Sequence, residues 1–177
     1  MQTISIEDVK NKIRAVPDFP KKGIIFRDIT TGIKDADTMR AMIDYLCDQY
    51  KDERVDYIAG IESRGFIFGM PMAYKMNCGF IPIRKPNKFP AETIKESYDL
   101  EYGSDSIEIH ADAIEKGARV LVVDDLLATG GTAKAACNLV RKAGGDLVGA
   151  AFLIELKALN GREKLADCGK VISMLQY

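Results

Sequence analysis

Two adjacent carboxylates and a glycine pair share one short run, Val120-Leu121-Val122-Val123-Asp124-Asp125-Leu126-Leu127-Ala128-Thr129-Gly130-Gly131-Thr132. Four apolar residues, three of them β-branched, predict a buried strand that delivers the acids to its carboxyl end. Paired acids there can accept hydrogen bonds from a sugar diol. Backbone N–H groups of a Gly-rich turn, backed by a helix N-terminus, can hold a phosphate. The pattern therefore suits a phosphorylated ribose. It is not a Walker A loop, which needs Gly-x4-Gly-Lys-[Ser/Thr], nor a Gly-x-Gly-x-x-Gly dinucleotide turn; neither occurs in the chain. The alternative is an ordinary strand-turn-helix unit with a solvated polar turn.

Three other segments carry groups that could act on the same ligand. Ile61-Glu62-Ser63-Arg64-Gly65-Phe66 follows a predicted strand and opens a helix. Such a turn offers N–H groups and a guanidinium to an anion, or is merely a helix start with a solvated arginine. Arg84-Lys85-Pro86-Asn87-Lys88 is basic and begins a long stretch with little periodicity. It reads as a lid whose lysines close over an anion and exclude water, or as a plain solvated loop. Gly23-Ile24-Ile25-Phe26-Arg27-Asp28 places an aromatic ring between apolar and basic neighbours, for core packing or for the face of a flat heterocycle. Glu101, in Tyr98-Asp99-Leu100-Glu101-Tyr102-Gly103, is either an acid near a reacting base or an exposed strand residue.

The elements that must position these groups alternate through the middle of the chain. Helices are predicted over 4–15 (Ser5 as N-cap), 37–51, 65–76 and 133–142, with a short one near 162–166. Strands are predicted over 55–61, 79–84, 98–102, 106–110, 120–123, 147–156 and 171–175. That order gives an α/β fold with a mostly parallel sheet flanked by helices. Ligands of such sheets bind beyond the carboxyl ends of the strands, which puts Glu62, Arg84 and Asp124 on one edge.

Bulk properties narrow the classes. The chain has 177 residues, 47% hydrophobic and 29% charged, with a net charge of −1, enough for one domain with a sizeable core. That charge suggests neither a nucleic-acid nor a general polyanion partner. No apolar run reaches membrane-spanning length, and the first residues do not read as a signal peptide. Cys47, Cys78, Cys137 and Cys168 lack metal or redox spacing and read as structural free thiols, favouring the cytoplasm. The lone His110 reads as a strand-end residue, since one histidine does not make a zinc site.

The Val120–Thr132 run resembles the phosphoribosyl-pyrophosphate (PRPP) signature of the type I phosphoribosyltransferases. The segments around Phe26, Glu62–Phe66, Arg84–Pro86 and Tyr98–Gly103 occur in the order of that family's adenine-using branch. The resemblance implies the type I phosphoribosyltransferase fold over residues 1–177, with a small N-terminal hood over about 1–32 and a flexible lid over about 85–103. It implies that Asp124 and Asp125 hold the ribose hydroxyls, and that Ala128, Thr129, Gly130, Gly131 and Thr132 cradle the 5-phosphate. Glu62, Ser63, Arg64, Arg84, Lys85 and Lys88 would serve the pyrophosphate. Phe26 would stack on adenine, Ile25 and Arg27 would read its edge, and Leu126 would cover the other face. Glu101, Arg64 and Asp125 would be the catalytic groups. Mg²⁺, held mainly by PRPP oxygens and water, would be required; AMP and pyrophosphate would be the products; and the assembly would be a homodimer. Lys22 departs from a frequent proline, and Asn87 and Phe89 depart from a frequent glycine and leucine.

Overall fold

Why Asp124 and Asp125 lie near the carboxyl end of a central sheet strand follows from how the strands around them are built. The computed structural model describes residues 4–99 and 103–177, with the Asp99 side chain left aside. The chain forms two compact units, Met1–Tyr45 and Leu46–Tyr177.

In the first unit, α1 (Ile6–Lys12) starts at a capping box. The Asp8 amide donates to Ser5 Oγ at 3.1 Å and the Ser5 amide donates back to Asp8 Oδ2 at 3.0 Å. The helix is shorter than the 4–15 expected. Residues Arg14–Pro17 instead form β1, which pairs antiparallel with β2 (Ile25–Asp28). A short helix α2 (Thr30–Ile33) follows, then α3 (Ala36–Asp48), where Asp35 accepts from the Thr38 amide and hydroxyl.

The second unit holds a five-stranded sheet. Its strands are β3 (Tyr57–Ile61), β4 (Gly79–Ile83), β7 (Arg119–Leu127), β8 (Asp146–Glu155) and β9 (Lys170–Gln176), ordered β4-β3-β7-β8-β9 and all parallel. Parallel strands buried on both faces need unbroken apolar runs. Leu121, Val122 and Val123 of β7, and Ala150 through Ile154 of β8, are fully buried or nearly so. Helix α4 (Gly65–Met76) packs on β3, β4 and β7, and α5 (Gly131–Lys142) packs on β7 and β8. The chain leaves β3 outward for β4, then returns past β3 to β7 and continues to β8 and β9. The order reverses between β3 and β7, which is where an open α/β sheet parts to admit a ligand.

Between β4 and β7 lies a second antiparallel ribbon, β5 (Thr93–Asp99) with β6 (Ser104–His110). The stretch read as an irregular lid is thus a loop only as far as Glu92, and β5 begins earlier than the 98–102 expected. Turns of 3₁₀ type at Lys157–Leu159 and Gly161–Leu165 replace the short helix near 162–166. Among the described residues no helix is long and apolar enough to cross a membrane.

Candidate active site

Strand β7 pairs with β3 only as far as Val123, opposite Gly60. Beyond that point β7 parts from β3, and the start of α4 fills the gap. A Cβ at Gly65 would lie 2.7 Å from the Val123 carbonyl oxygen and 3.2 Å from Asp124 Oδ1. Only glycine lets this helix start come so close to the diacid. The close approach brings Arg64 to Asp125: Arg64 Nε donates to Asp125 Oδ2 at 2.9 Å. The Asp125 amide in turn donates to Asp124 Oδ1 at 2.8 Å.

The two acids differ in setting. Asp125 is 5% exposed, and burial raises its carboxyl above the ordinary range while Arg64 pulls it back. Asp124 lies well above that range, first because water is excluded from its carboxyl and then because of the neighbouring Asp125 charge. The pair is thus a poor home for two negative charges until donors arrive. Sugar hydroxyls supply such donors.

After Leu127 the chain turns through Ala128, Thr129 and Gly130 into α5, whose first residues are Gly131 and Thr132. Gly130 stands at φ +79°, and no side chain caps the helix. The unclaimed first-turn N–H groups and the helix dipole face a cavity of about 90 Å³. Asp124, Leu126 and Ala128 to Thr132 line it, so a carboxyl and the Gly-rich helix start share one small space.

Glu62 and Arg84, at the ends of β3 and β4, meet directly. Arg84 donates to Glu62 Oε1 at 3.0 Å and the Lys85 amide donates to Oε2 at 3.0 Å. Arg84 thereby holds the Glu62 carboxyl below the usual range. A second Arg84 nitrogen donates to the Lys88 carbonyl at 3.0 Å, while its Nε is buried with no acceptor among the described residues. Ser63 and Lys88 are exposed. Lys85 is gripped by Asp105 and by the Tyr98 hydroxyl at 3.1 Å. Burial works against the Lys85 charge, and these partners outweigh it, so its pKa is raised. Neither partner stands out in the sequence, because each is near Lys85 only through the β5–β6 ribbon. Asn87 adopts φ +63°, a conformation asparagine tolerates far better than other non-glycine residues, and so it can replace a frequent glycine. Phe89 packs on the His110 ring, with centroids 4.2 Å apart, and under Arg84.

Ile25, Phe26 and Arg27 all lie on β2 of the first unit. Ile25 is exposed, and Phe26 meets Phe19 edge-to-face at 5.3 Å. Among the described residues β2 pairs with β1 alone. Glu101 lies outside the described residues. The thiols of Cys47, Cys137 and Cys168 are buried, Cys78 is partly so, and none of the four is in a disulfide.

The model of the phosphoribosyl transferase domain family matches residues 31–174. The chain belongs to that phosphoribosyltransferase family. An adenine phosphoribosyltransferase of Trichodesmium erythraeum is 58% identical over 170 residues, spanning 96% of this chain and 99% of that one. A crystal structure of the Thermoanaerobacter pseudethanolicus adenine phosphoribosyltransferase superposes with a TM-score of 0.94 at 50% identity, covering 98% and 100% of the two chains. A Saccharomyces cerevisiae adenine phosphoribosyltransferase, complexed with an imino-altritol bisphosphate and adenine, superposes at 0.90 with 38% identity, over 96% and 98%. Among phosphoribosyltransferases, then, this chain is similar along nearly its whole length to adenine-using ones. The sheet and its flanking helices are those expected of the fold.

Proposed function

We infer that the protein is an adenine phosphoribosyltransferase: it transfers the 5-phosphoribosyl group of PRPP to N9 of adenine, giving AMP and pyrophosphate in purine salvage. The observation that carries this is the cavity at the end of β7, where the Asp124 carboxyl, next to Asp125 in the chain, meets an uncapped helix start in a chain 58% identical to an enzyme of that name. In the reaction the C1–O bond to pyrophosphate breaks, the C1–N9 bond forms with inversion at C1, and adenine gives up its N9 proton. Charge separates as the ribose becomes oxocarbenium-like.

We propose the following roles. Asp124 and Asp125 accept hydrogen bonds from the ribose hydroxyls and fix C1 relative to N9. The turn from Ala128 to Thr132 holds the 5-phosphate. Arg64, with Glu62 and Ser63 beside it, and Arg84, Lys85 and Lys88 face the leaving pyrophosphate, whose growing charge is the main electrostatic task. Among the described residues the buried Nε of Arg84 meets no acceptor, which suits that role. Phe26 offers its ring to adenine, the backbone of Ile25 and Arg27 reads the base edge, and Leu126 lies on its other face. Glu101 manages the proton near the base.

Mg²⁺ is expected to bind mainly through PRPP oxygens and water, where it neutralises phosphate charge. Among the described residues no three acidic, histidine or cysteine side chains converge on one point. The hard oxygen donors of the substrate are the better match for this ion. We also propose a cytoplasmic homodimer, for which sedimentation at working concentration should show twice the chain mass; a lone monomer peak refutes the dimer.

Incubation with PRPP, Mg²⁺ and each nucleobase in turn tests the function. AMP and pyrophosphate should form with adenine. Release with guanine or hypoxanthine but not adenine overturns the specificity, and release with no base overturns the enzyme.

A further inference from the structure

The phosphate loop does not stand alone; it rests on another turn. Gly161 is buried, and a Cβ placed on it would lie 2.1 Å from the Ala128 carbonyl oxygen and 2.8 Å from the Gly130 nitrogen. Reciprocally, a Cβ on Gly130 would lie 2.3 Å from the Gly161 carbonyl oxygen. The two backbones touch with no side chain between them. The Leu156 amide, which opens the supporting turn, also donates to the Leu127 carbonyl at 2.9 Å.

What holds that turn is a partly buried polar network built on the buried Glu155. Arg162 lays its fork on Glu155, Nε to Oε1 at 2.9 Å and Nη2 to Oε2 at 2.5 Å. It also donates to the Val171 carbonyl at 2.8 Å and to Ser173 Oγ at 3.0 Å. Ser173 Oγ donates to Glu155 Oε2 at 2.5 Å. Glu155 ends β8 and is 6% exposed, and Ser173 lies in β9. The fork thus ties the turn to the two strands beyond β7. A bidentate guanidinium–carboxylate pair fixes geometry as well as charge, and lysine cannot reproduce it.

We propose that Gly161 and Arg162 are positioning residues for the ribose 5-phosphate end of the substrate, the glycine seating the Ala128–Gly131 loop and the arginine holding the seat. This rests on the reading of that loop as the phosphate cradle. A shift of the loop by a fraction of an ångström to one ångström misaligns its N–H groups, and displacements of that size can cost on the order of 100-fold.

The test is calorimetric binding of ribose 5-phosphate and, separately, of pyrophosphate, with steady-state KM values for PRPP and adenine. Gly161→Ala should weaken ribose 5-phosphate and raise the PRPP KM on the order of ten-fold or more, leaving pyrophosphate affinity and the adenine KM unchanged. Gly149→Ala is the matched control. Its Cβ would meet the Lys170 carbonyl oxygen at the same 2.1 Å, but near the start of β8, roughly 20 Å along the strand from Glu155. It should lower the melting temperature and leave both affinities alone. Equal loss of ribose 5-phosphate binding in both variants, or none in Gly161→Ala, overturns the proposal. Should Gly161→Ala not fold, Arg162→Lys decides, and wild-type ribose 5-phosphate affinity in that variant overturns it. A natural protein that binds no ribose 5-phosphate overturns the phosphate-cradle reading and the proposal with it.

Discussion

Asp124 and Asp125 are adjacent in sequence yet face unlike surroundings. Asp125 has the Arg64 guanidinium at 2.9 Å, whereas Asp124 has an amide donor and a like charge beside it. Removing one charged hydrogen bond from a substrate site costs about 1.5–3 kcal/mol. Asp125→Asn should therefore lower kcat/KM for PRPP by roughly 10- to 150-fold, measured as AMP formation. An unchanged rate removes Asp125 from the diol site. For Asp124 the decisive variable is pH. Its folded pKa is above the usual 3.8, so between about 4 and that higher value the folded protein keeps a proton that the unfolded chain has lost. Raising pH through that window drains stability from the natural protein but not from Asp124→Asn. The melting temperature of Asp124→Asn, relative to the natural protein, should climb from about pH 4 toward neutrality. A pH-independent difference means that Asp124 is ionised throughout.

At the scale of elements, loop geometry decides what can be substituted. Asn87 sits at φ +63° in the turn after β4, where a β-branched residue meets its own backbone. Asn87→Gly should fold as well as the natural chain, while Asn87→Val should lose about 1–2 kcal/mol in denaturant unfolding. Equal stability of the two would mean that the turn relaxes. The same scale shows what could be read in advance. Helix α4 begins and ends where its apolar spacing and flanking signals put it, at Gly65 and Met76, and β8 and the first half of β7 announce themselves as apolar runs; β7, expected over 120–123, continues through the two acids to Leu127 because β8 stays paired beside it. Such signals are local. Arg14 and Ala15, expected at the end of a helix over 4–15, open a strand instead because β2 lies alongside, and Thr93–Asp99 is a polar strand defined by β6. The site divides the same way. That Glu62, Arg64, Arg84 and the loop after β7 would stand just past strand ends was legible, because each follows an apolar run. The grip of Asp105 and Tyr98 on Lys85, and the contact of Gly161 with Gly130, depend on segments far apart in the chain and leave no periodic trace.

Taken whole, the molecule holds several of its described acids in ion pairs in both units, and those pairs shape its response to acid. In the first unit the Asp28 pKa is lowered to about 2, first by the Thr30 hydroxyl and then by Arg14. In the second unit Asp167 is lowered to about 2 by Lys134, Glu155 lies below the usual range through Arg162, and Glu62 does so through Arg84. A carboxyl whose folded pKa is depressed adds stability above its unfolded value and surrenders it as pH falls through the folded one. Both units should hold their melting temperatures down to about pH 4 and lose them steeply between about 4 and 2. The exposed pairs should be weakened by high salt, whereas the Arg162–Glu155 pair, with Glu155 buried, should be screened far less. Hydrogen exchange resolves the two units separately, and Asp28→Asn gives the contrast. In that variant, protection of β1 and β2 should be lower near neutrality and depend less on pH below about 4, with β8 and β9 following the natural protein. An acid profile of β1 and β2 that Asp28→Asn leaves untouched means that other groups govern the acid response of the first unit.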